Sequence, residues 1–139
     1  MTDADPARAV AEASRKAVRA KDKDAWLALF AEDGWVEDPV GPSGFDPDGR
    51  GHHGRDEIAA FWDKAIALAD TIEFDYTDSF ACGREVAYTG AIRTTVAGTR
   101  IDAEGVFVYR VDPEGRLMSL RAFWEVDRAM ATARTIAPQ

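Results

Sequence analysis

The chain has 139 residues, a formal net charge of −8, 46% apolar side chains and 30% charged ones. This length suits one domain that buries a sizeable core, and the composition is ordinary for a soluble globular protein. No basic block is present to neutralise phosphates, so the acidic balance argues against a nucleic-acid partner. We therefore expect a single domain over residues 1–139, with loose tails at 1–5 and 136–139.

Cysteine content and hydropathy favour a cytoplasmic protein with no membrane partner. The single cysteine, Cys82, cannot form an internal disulfide and has no Cys or His neighbour at zinc-ligand spacing. The acidic N-terminus lacks the hydrophobic centre of a signal peptide. No apolar run approaches the length of about 20 residues that a membrane-spanning helix needs.

The first thirty residues have the apolar spacing of two helices. Small apolar residues recur at three- and four-residue steps over Pro6–Ala20, and Asp5 is placed to cap this helix. A second helix is predicted over Ala25–Ala31, with Asp24 as its cap. Ser14 lies on the apolar stripe of the first helix, either as a small packing residue or as a hydroxyl that faces a pocket.

A short strand is predicted next, over Gly34–Asp38, and it carries the adjacent carboxylates Glu37 and Asp38 into Pro39. Successive strand side chains point to opposite faces, so only one of the two acids can face the interior. An inward carboxylate at the mouth of an apolar cavity is a candidate general base. The alternative is that both acids are solvated at a strand end.

Residues 41–54 are rich in glycine and proline and are predicted to form a loop at the rim of a site. The loop ends at His52-His53, which makes a poor metal pair without further ligands, so we expect no metal and no cofactor. A third helix is predicted over 55–69 from its strong apolar stripe. Trp62 on this stripe belongs either to the core or to a cavity wall.

From Thr71 onwards the apolar period changes to two, which indicates β-strands. Four are predicted, over residues 71–81, 85–96, 99–111 and 116–126, and one or two helical turns follow over 127–134. Helices followed by an antiparallel meander predict an α+β fold, in which a curved sheet packs on three N-terminal helices as a cone. The mouth of such a cone suits a small hydrophobic molecule.

Four segments together resemble a known family. Residues 26–41, Trp-Leu-Ala-Leu-Phe-Ala-Glu-Asp-Gly-Trp-Val-Glu-Asp-Pro-Val-Gly, resemble the second helix and first strand of bacterial ketosteroid isomerases, and Gly54–Trp62 resembles their third helix. Gly105–Arg110 and Ser119–Trp124 resemble their last two strands. The chain is thus similar to the ketosteroid isomerases of the nuclear transport factor 2-like, polyketide cyclase-like superfamily, and especially to actinobacterial steroid delta-isomerase-like proteins.

The resemblance implies that Asp38 is the base that moves a proton next to a carbonyl. Ketosteroid isomerases are a standard example of enzymes with such a base. In them the base works together with a tyrosine and a protonated aspartate, which donate hydrogen bonds to the oxyanion. The position of that tyrosine falls here on Ser14, and the position of the second aspartate falls on Phe107. Neither residue can replace its counterpart directly, and one lost donor commonly costs about 10²–10³ in rate.

Other side chains are candidates to bind the substrate. Tyr109 shares strand parity with Phe107, the indole of Trp124 can donate a hydrogen bond, and Trp62 falls where the family often has a tyrosine. The predicted substrate-binding set is therefore Ser14, Trp62, Phe107, Tyr109 and Trp124. For each of them a packing role is the alternative.

Three functions remain open from the sequence. The first is a steroid delta-isomerase-like enzyme that acts on a steroid-like or polycyclic molecule with Asp38 as base. The second is a non-catalytic lipophilic ligand-binding protein on the same fold. The third is a polyketide cyclase- or dehydratase-like enzyme, which needs His52 or His53 beside Asp38. The resemblance also implies a homodimer through the sheet, with four residues as candidate contacts: Val106, Val108, Leu120 and Phe123.

Overall fold

Three helical segments lie in the first half of the chain. In the computed structural model, which describes residues 5–136, α1 spans Pro6–Ala20, α2 spans Lys23–Ala28 and α3 spans Gly54–Phe61. α3 continues through a wider turn, Trp62–Ile66, in which the Ala67 N–H bonds the Trp62 carbonyl at 2.8 Å. The predicted first helix is confirmed residue for residue, and the third ends three residues earlier than expected.

The second helix differs from its prediction at both ends. Its cap is Asp22 and not Asp24, because the Asp22 carboxylate accepts a hydrogen bond from the Ala25 N–H at 3.1 Å. The helix stops at Ala28 because Phe30 already pairs with Leu117 of a strand. Sheet pairing therefore overrides the helical spacing that this apolar segment shows.

The predicted tails lie largely outside the described residues, at 1–4 and 137–139. Of the residues that are described, Asp5 caps α1 through its carbonyl, which accepts from the Ala9 N–H at 3.0 Å, and its side chain makes no capping bond. At the other end, the Ile136 N–H bonds the Gly98 carbonyl at 2.8 Å. Asp5 and Ile136 thus each make a backbone hydrogen bond in the described part of the chain.

One curved sheet forms the rest of the fold. Its order is β2-β1-β6-β5-β4-β3, with β7 paired to β5, and only the β1–β6 pairing is parallel among the described strands. The strands are β1 Phe30–Glu37, β2 His52–His53, β3 Thr71–Cys82, β4 Glu85–Val96, β5 Thr99–Val111, β6 Leu117–Phe123 and β7 Arg134–Thr135, and a short helix α4 spans Val126–Met130. The predicted α+β class and curved sheet are confirmed.

The sheet bends at a pair of glycines on neighbouring strands. Gly90 of β4 lies opposite Gly105 of β5, and Gly90 has a φ of +142°. A Cβ at Gly90 would lie 2.3 Å from the Asp75 carbonyl oxygen, and one at Gly105 would lie 2.0 Å from the Phe123 carbonyl oxygen. The backbones approach too closely here for any side chain, which lets the sheet curl around the helices.

The helices pack on the concave face of the sheet around Trp26. This indole is 1% exposed and contacts the rings of Phe30 and Trp62, whose centroids lie 4.9 and 5.2 Å away. Burial of such large rings supplies much of the free energy that favours folding. No helix within residues 5–136 has the length and apolar character needed to cross a membrane.

The convex face carries some of the residues expected at a dimer contact. Val106 and Phe123 remain 37% and 40% exposed there. Leu120 does not belong with them, because its parity on β6 places it with Ala122 and Trp124 on the concave side. The expectation for Leu120 is therefore wrong, because Leu120 lies opposite Tyr109 of β5 and so shares the concave face with it.

Candidate functional site

A cavity of about 490 Å³ lies between the helices and the concave face of the sheet. This volume falls in the range of about 300–1,000 Å³ that is typical of small-molecule sites. Most lining side chains are aliphatic or aromatic, and within residues 5–136 Asp38 is the only carboxylate among them and Lys64 the only cation. The cavity therefore suits a hydrophobic molecule that presents few polar groups.

Asp38 follows directly after β1 and is held at the cavity wall from both sides. Val36, two residues earlier on the same face, is fully buried, and the Val40 N–H bonds the Ala122 carbonyl of β6 at 2.8 Å. The Trp124 indole N–H donates to the Asp38 Oδ1 at 2.6 Å. These contacts fix the carboxylate on the concave side, as strand alternation predicts.

The surroundings of Asp38 favour its neutral form. Burial raises the pKa of the Asp38 carboxyl above its ordinary value, and the hydrogen bond from Trp124 opposes that rise. No Lys, Arg or His lies within salt-bridge distance of Asp38 in the described part of the chain. A carboxylate with a raised pKa and a free oxygen is chemically suited to take up a proton.

Glu37 faces the opposite side of the strand. Its Oε1 accepts from the Arg121 Nε–H at 2.7 Å and from the Trp35 indole at 3.2 Å. The Trp35 ring in turn stacks on His53, with centroids 5.8 Å apart. The predicted division between the two neighbouring acids is therefore confirmed, and Glu37 belongs to an ion pair on the convex face.

Two tyrosine hydroxyls that contact each other form a second polar feature of the cavity. The oxygens of Tyr76 and Tyr109 lie 3.3 Å apart, and both residues line the cavity. Burial raises the pKa of both phenols, and the negative charge of Asp38 adds to the rise. Both groups therefore remain protonated at neutral pH and can donate hydrogen bonds.

The remaining predicted residues divide between the cavity and the core. Phe107 lines the cavity and stacks on Tyr76 at 5.2 Å, and Trp124 lines it beside Asp38. Trp62 does not line it, because its ring packs on Trp26 inside the core. Of the two alternatives for Trp62, the structure thus shows the core.

Neither histidine reaches the cavity lining. His52 is 8% exposed and packs on Phe61 at 4.8 Å, and burial lowers the pKa of its imidazole. His53 is exposed, with its Nε2 2.8 Å from the Arg50 carbonyl oxygen. A histidine beside Asp38, which a dehydratase-like site needs, is absent from the described lining. The described residues also hold no group of three or more metal-binding side chains.

Ser14 lines the cavity, but its oxygen has a partner in the core. The hydroxyl accepts a hydrogen bond from the Trp26 indole N–H at 3.0 Å, and Ser14 is only 2% exposed. A buried donor that loses its acceptor costs the desolvation free energy of that group. The serine therefore has a clear structural role at the position where the resemblance expects a tyrosine.

We expect Ser14→Ala to lower the free energy of unfolding by about 1–3 kcal/mol, because the buried indole N–H of Trp26 then lacks an acceptor. Urea unfolding measures this loss. The control is the same substitution in a Trp26→Phe background, where it should cost much less because no indole N–H remains. Equal costs in the two backgrounds would contradict a specific Ser14–Trp26 bond.

Sequence reasoning missed two residues near the site, Tyr76 and Arg15. Tyr76 was detectable, because it continues the alternating series of Ile72 and Phe74 on β3, and all three line the cavity. Arg15 was not, because it lies next to the apolar stripe of α1, where arginine normally indicates a solvated face. Its guanidinium lies instead over the rings of Tyr76 and Tyr88.

Comparisons with known proteins agree with this architecture. A family model described as the SnoaL-like domain matches residues 10–120, whereas no curated protein sequence matches the chain. The solved Delta 5-3-ketosteroid isomerase from Mycobacterium sp. is 35% identical with a TM-score of 0.84, covering 89% of this chain and 96% of that one.

Two further solved structures are similar over most of their length. RV0760c from Mycobacterium tuberculosis, in complex with estradiol-17beta-hemisuccinate, is 33% identical with a TM-score of 0.82, covering 89% of this chain and 97% of that one. SalBIII is described as an epoxide hydrolase/cyclase-like enzyme with a role in pyran ring formation in the polyether salinomycin. It is 29% identical with a TM-score of 0.72, and the match covers 91% of this chain and 96% of that one. The family model spans most of the chain, and the fold is that of the nuclear transport factor 2-like proteins. The chain therefore belongs to the SnoaL-like family.

Proposed function

We propose that this protein binds a steroid-like, polycyclic ketone and moves a double bond into conjugation with its carbonyl, with Asp38 as the base. The observation that carries the proposal is the isolated carboxylate in an apolar cavity. Asp38 has one hydrogen-bond donor, Trp124, and no ion-pair partner within residues 5–136. The similarity to a ketosteroid isomerase at 35% identity supports the same reaction class.

The reaction needs only proton transfer. The Asp38 carboxylate takes the proton from the carbon between the carbonyl and the alkene, and the electron pair of that C–H bond moves towards the carbonyl oxygen to give a dienolate. The neutral Asp38 carboxyl then returns the proton to the far carbon of the conjugated system, and the carbonyl re-forms. Electrons and protons balance without a cofactor, and a pKa raised by burial suits both steps.

Incubation of the purified protein with 5-androstene-3,17-dione tests the proposal. We expect the ultraviolet absorbance of the conjugated enone to appear at a rate proportional to protein concentration. The rate should lie well below that of an isomerase with both oxyanion donors, because Ser14 and Phe107 stand at their positions and each lost donor costs about 10²–10³. Absence of turnover above the buffer rate would refute isomerisation of this steroid.

A second candidate function is binding of a lipophilic ligand without turnover. The absence of the usual oxyanion donors at Ser14 and Phe107 favours it, as does the similarity to RV0760c in complex with a steroid ester. Quenching of tryptophan fluorescence by steroids distinguishes the two candidates when it is combined with the turnover assay. Tight binding without turnover supports the second function, and a dehydratase-like reaction has weaker support because no histidine lies in the described lining.

A further inference from the structure

A positive charge lies behind the aromatic wall of the cavity. The Arg15 guanidinium, carried by α1, sits 4.5 Å from the ring centroid of Tyr88 and 5.1 Å from that of Tyr76. Tyr76 also stacks on Phe107, which lines the cavity with it. Arginine stays charged at every pH at which the protein is folded, so this wall carries a permanent positive potential.

Within residues 5–136, no carboxylate forms an ion pair with Arg15. Its Nη1 is buried without a hydrogen-bond partner among those residues. Arg15 is half-buried, and the groups that stabilise its charge are the neighbouring tyrosines, through the Tyr88 hydroxyl and the faces of the Tyr76 and Tyr88 rings. Its field acts on the neighbouring phenols: burial raises the pKa of Tyr109, and Arg15 works against that rise.

One hydroxyl proton of the Tyr76–Tyr109 pair is not used in the hydrogen bond between the two residues. Two phenols carry two O–H protons, and the contact of 3.3 Å between Tyr76 and Tyr109 uses one of them. Tyr109 also lies within hydrogen-bonding reach of Arg15, and a guanidinium can only donate, so this contact uses neither of the two phenol protons. The second proton is therefore free for an acceptor inside the cavity, and the donor that carries it is polarised by the bond within the pair.

We propose that the paired hydroxyls of Tyr76 and Tyr109, backed by the Arg15 guanidinium, form the oxygen-binding end of the cavity and hold the carbonyl oxygen of the ligand. This inference rests on the proposed function, and it places the donors on β3 and β5 and not at Ser14 or Phe107. The ligand oxygen that fits is a pure acceptor, such as a ketone or its enolate. Charge that develops on this oxygen is stabilised by the free O–H and by Arg15.

The chemical test compares a ketone with the hydrocarbon that lacks its oxygen. 4-Androsten-3-one carries a single carbonyl, and androst-4-ene has the same rings without it. We expect the wild-type protein to bind the ketone about fivefold to tenfold more tightly, as measured by quenching of tryptophan fluorescence, because one hydrogen bond to a buried oxygen contributes about that factor. Tyr109→Phe and Tyr76→Phe should lose this preference while they still bind the hydrocarbon.

Tyr88→Phe is the matched control, because Tyr88 belongs to the same aromatic cluster but does not line the cavity. Its preference for the ketone should equal that of the wild type. A wild-type protein that binds both probes equally, or tyrosine variants that keep the full preference, would overturn the inference. A protein that binds neither probe would overturn both the inference and the proposed ligand class.

Arg15 is a positioning residue in this scheme, because it acts on the ligand through the tyrosines. Its role is tested by measuring the electrostatic field at the ligand oxygen. The infrared carbonyl band of bound 4-androsten-3-one, labelled with ¹³C at the carbonyl, should move to higher frequency in Arg15→Met. Arg15→Lys should move it back towards the wild-type frequency, because the charge is restored. An unchanged band in Arg15→Met would overturn the role of Arg15. Neither the binding comparison nor the infrared measurement requires turnover. A preference for the ketone without isomerisation would therefore refute the proposed reaction but support the oxygen-binding site.

Discussion

Asp38→Asn is expected to lower kcat for 5-androstene-3,17-dione by about 10²–10⁴-fold, the contribution that a positioned base normally makes. The amide matches the carboxylate in size and keeps an oxygen that accepts the Trp124 indole hydrogen bond, which is 2.6 Å long in the wild type. The cavity should therefore keep its shape, and the affinity for 4-androsten-3-one should change by less than about threefold. The assay follows the enone absorbance under saturating and limiting substrate.

Glu37→Gln is the control for this experiment, because it removes the neighbouring carboxylate on the opposite face of the same strand. Glu37 pairs with Arg121 and does not line the cavity, so the variant should retain wild-type turnover with a small change in stability. Equal losses in the two variants would show that the effect is structural. A fully active Asp38→Asn protein would exclude Asp38 as the base.

The environment of Asp38 determines in which direction the reaction rate changes with pH. The base must be ionised, and burial raises its pKa above the ordinary value of 3.8. The rate should therefore increase with pH through a range above that of an exposed aspartate. Trp124→Phe removes the donor that opposes the rise, so the acidic limb of its pH profile should lie at higher pH than that of the wild type.

The contribution of Asp38 to folding stability changes with pH in the opposite direction to the rate, and decreases as pH rises. A carboxyl whose pKa is higher in the folded state than in the unfolded state binds its proton more tightly when folded. Its favourable contribution is complete below the unfolded pKa and is lost as pH rises through the folded pKa. Asp38→Asn should therefore unfold at a higher temperature than the wild type at neutral pH, and the difference should shrink as the pH falls towards 4.

The sequence was sufficient for those features that depend on local pattern. Alternation along β1 separates Glu37 from Asp38, and the period of two gives the bounds of β4 and β5 without error. The Glu-Asp-Pro-Val-Gly segment identifies the family because its spacing to the later strands is compatible with one fold. These inferences need no knowledge of which elements touch.

Features that depend on contacts between distant segments were not predictable. The α2 helix ends early because Phe30 pairs in the sheet with Leu117, which lies 87 positions further along the chain. Trp62 falls on an inward helical stripe in either case, and only its packing on Trp26 distinguishes core from cavity wall. Arg15 looks like a surface residue until β3 and β4 supply the tyrosine rings beneath it. Tertiary context decides each of these positions.

Gly105→Ala is expected to reduce the free energy of unfolding by about 3 kcal/mol or more, because the added methyl would clash with a backbone oxygen, which cannot turn aside as the end of a flexible side chain can. Its Cβ would lie 2.0 Å from the Phe123 carbonyl oxygen, next to the Val106–Phe123 pair at which the β5–β6 pairing ends. For a domain of this size such a loss lowers Tm by about 10 °C. Calorimetry or circular dichroism measures the shift.

Gly44→Ala provides the matched control, because no atom lies within 4 Å of its added Cβ. This variant should melt within about 1 °C of the wild type. A Gly105→Ala protein that is as stable as Gly44→Ala would show that the strands can separate at the bend without cost, contrary to the close approach of the two backbones.

The same substitution should also disturb the site. The methyl of Gly105→Ala would lie 3.2 Å from the Cβ of Trp124, whose indole holds Asp38. Any shift that separates β5 from β6 moves this indole away from the carboxylate. The acidic limb of the Gly105→Ala pH profile, measured below its melting temperature, should therefore move to higher pH, as in Trp124→Phe. An unshifted limb would mean that the bend can widen while Trp124 stays in place, so that the glycine pair shapes the sheet without setting the pKa of the base.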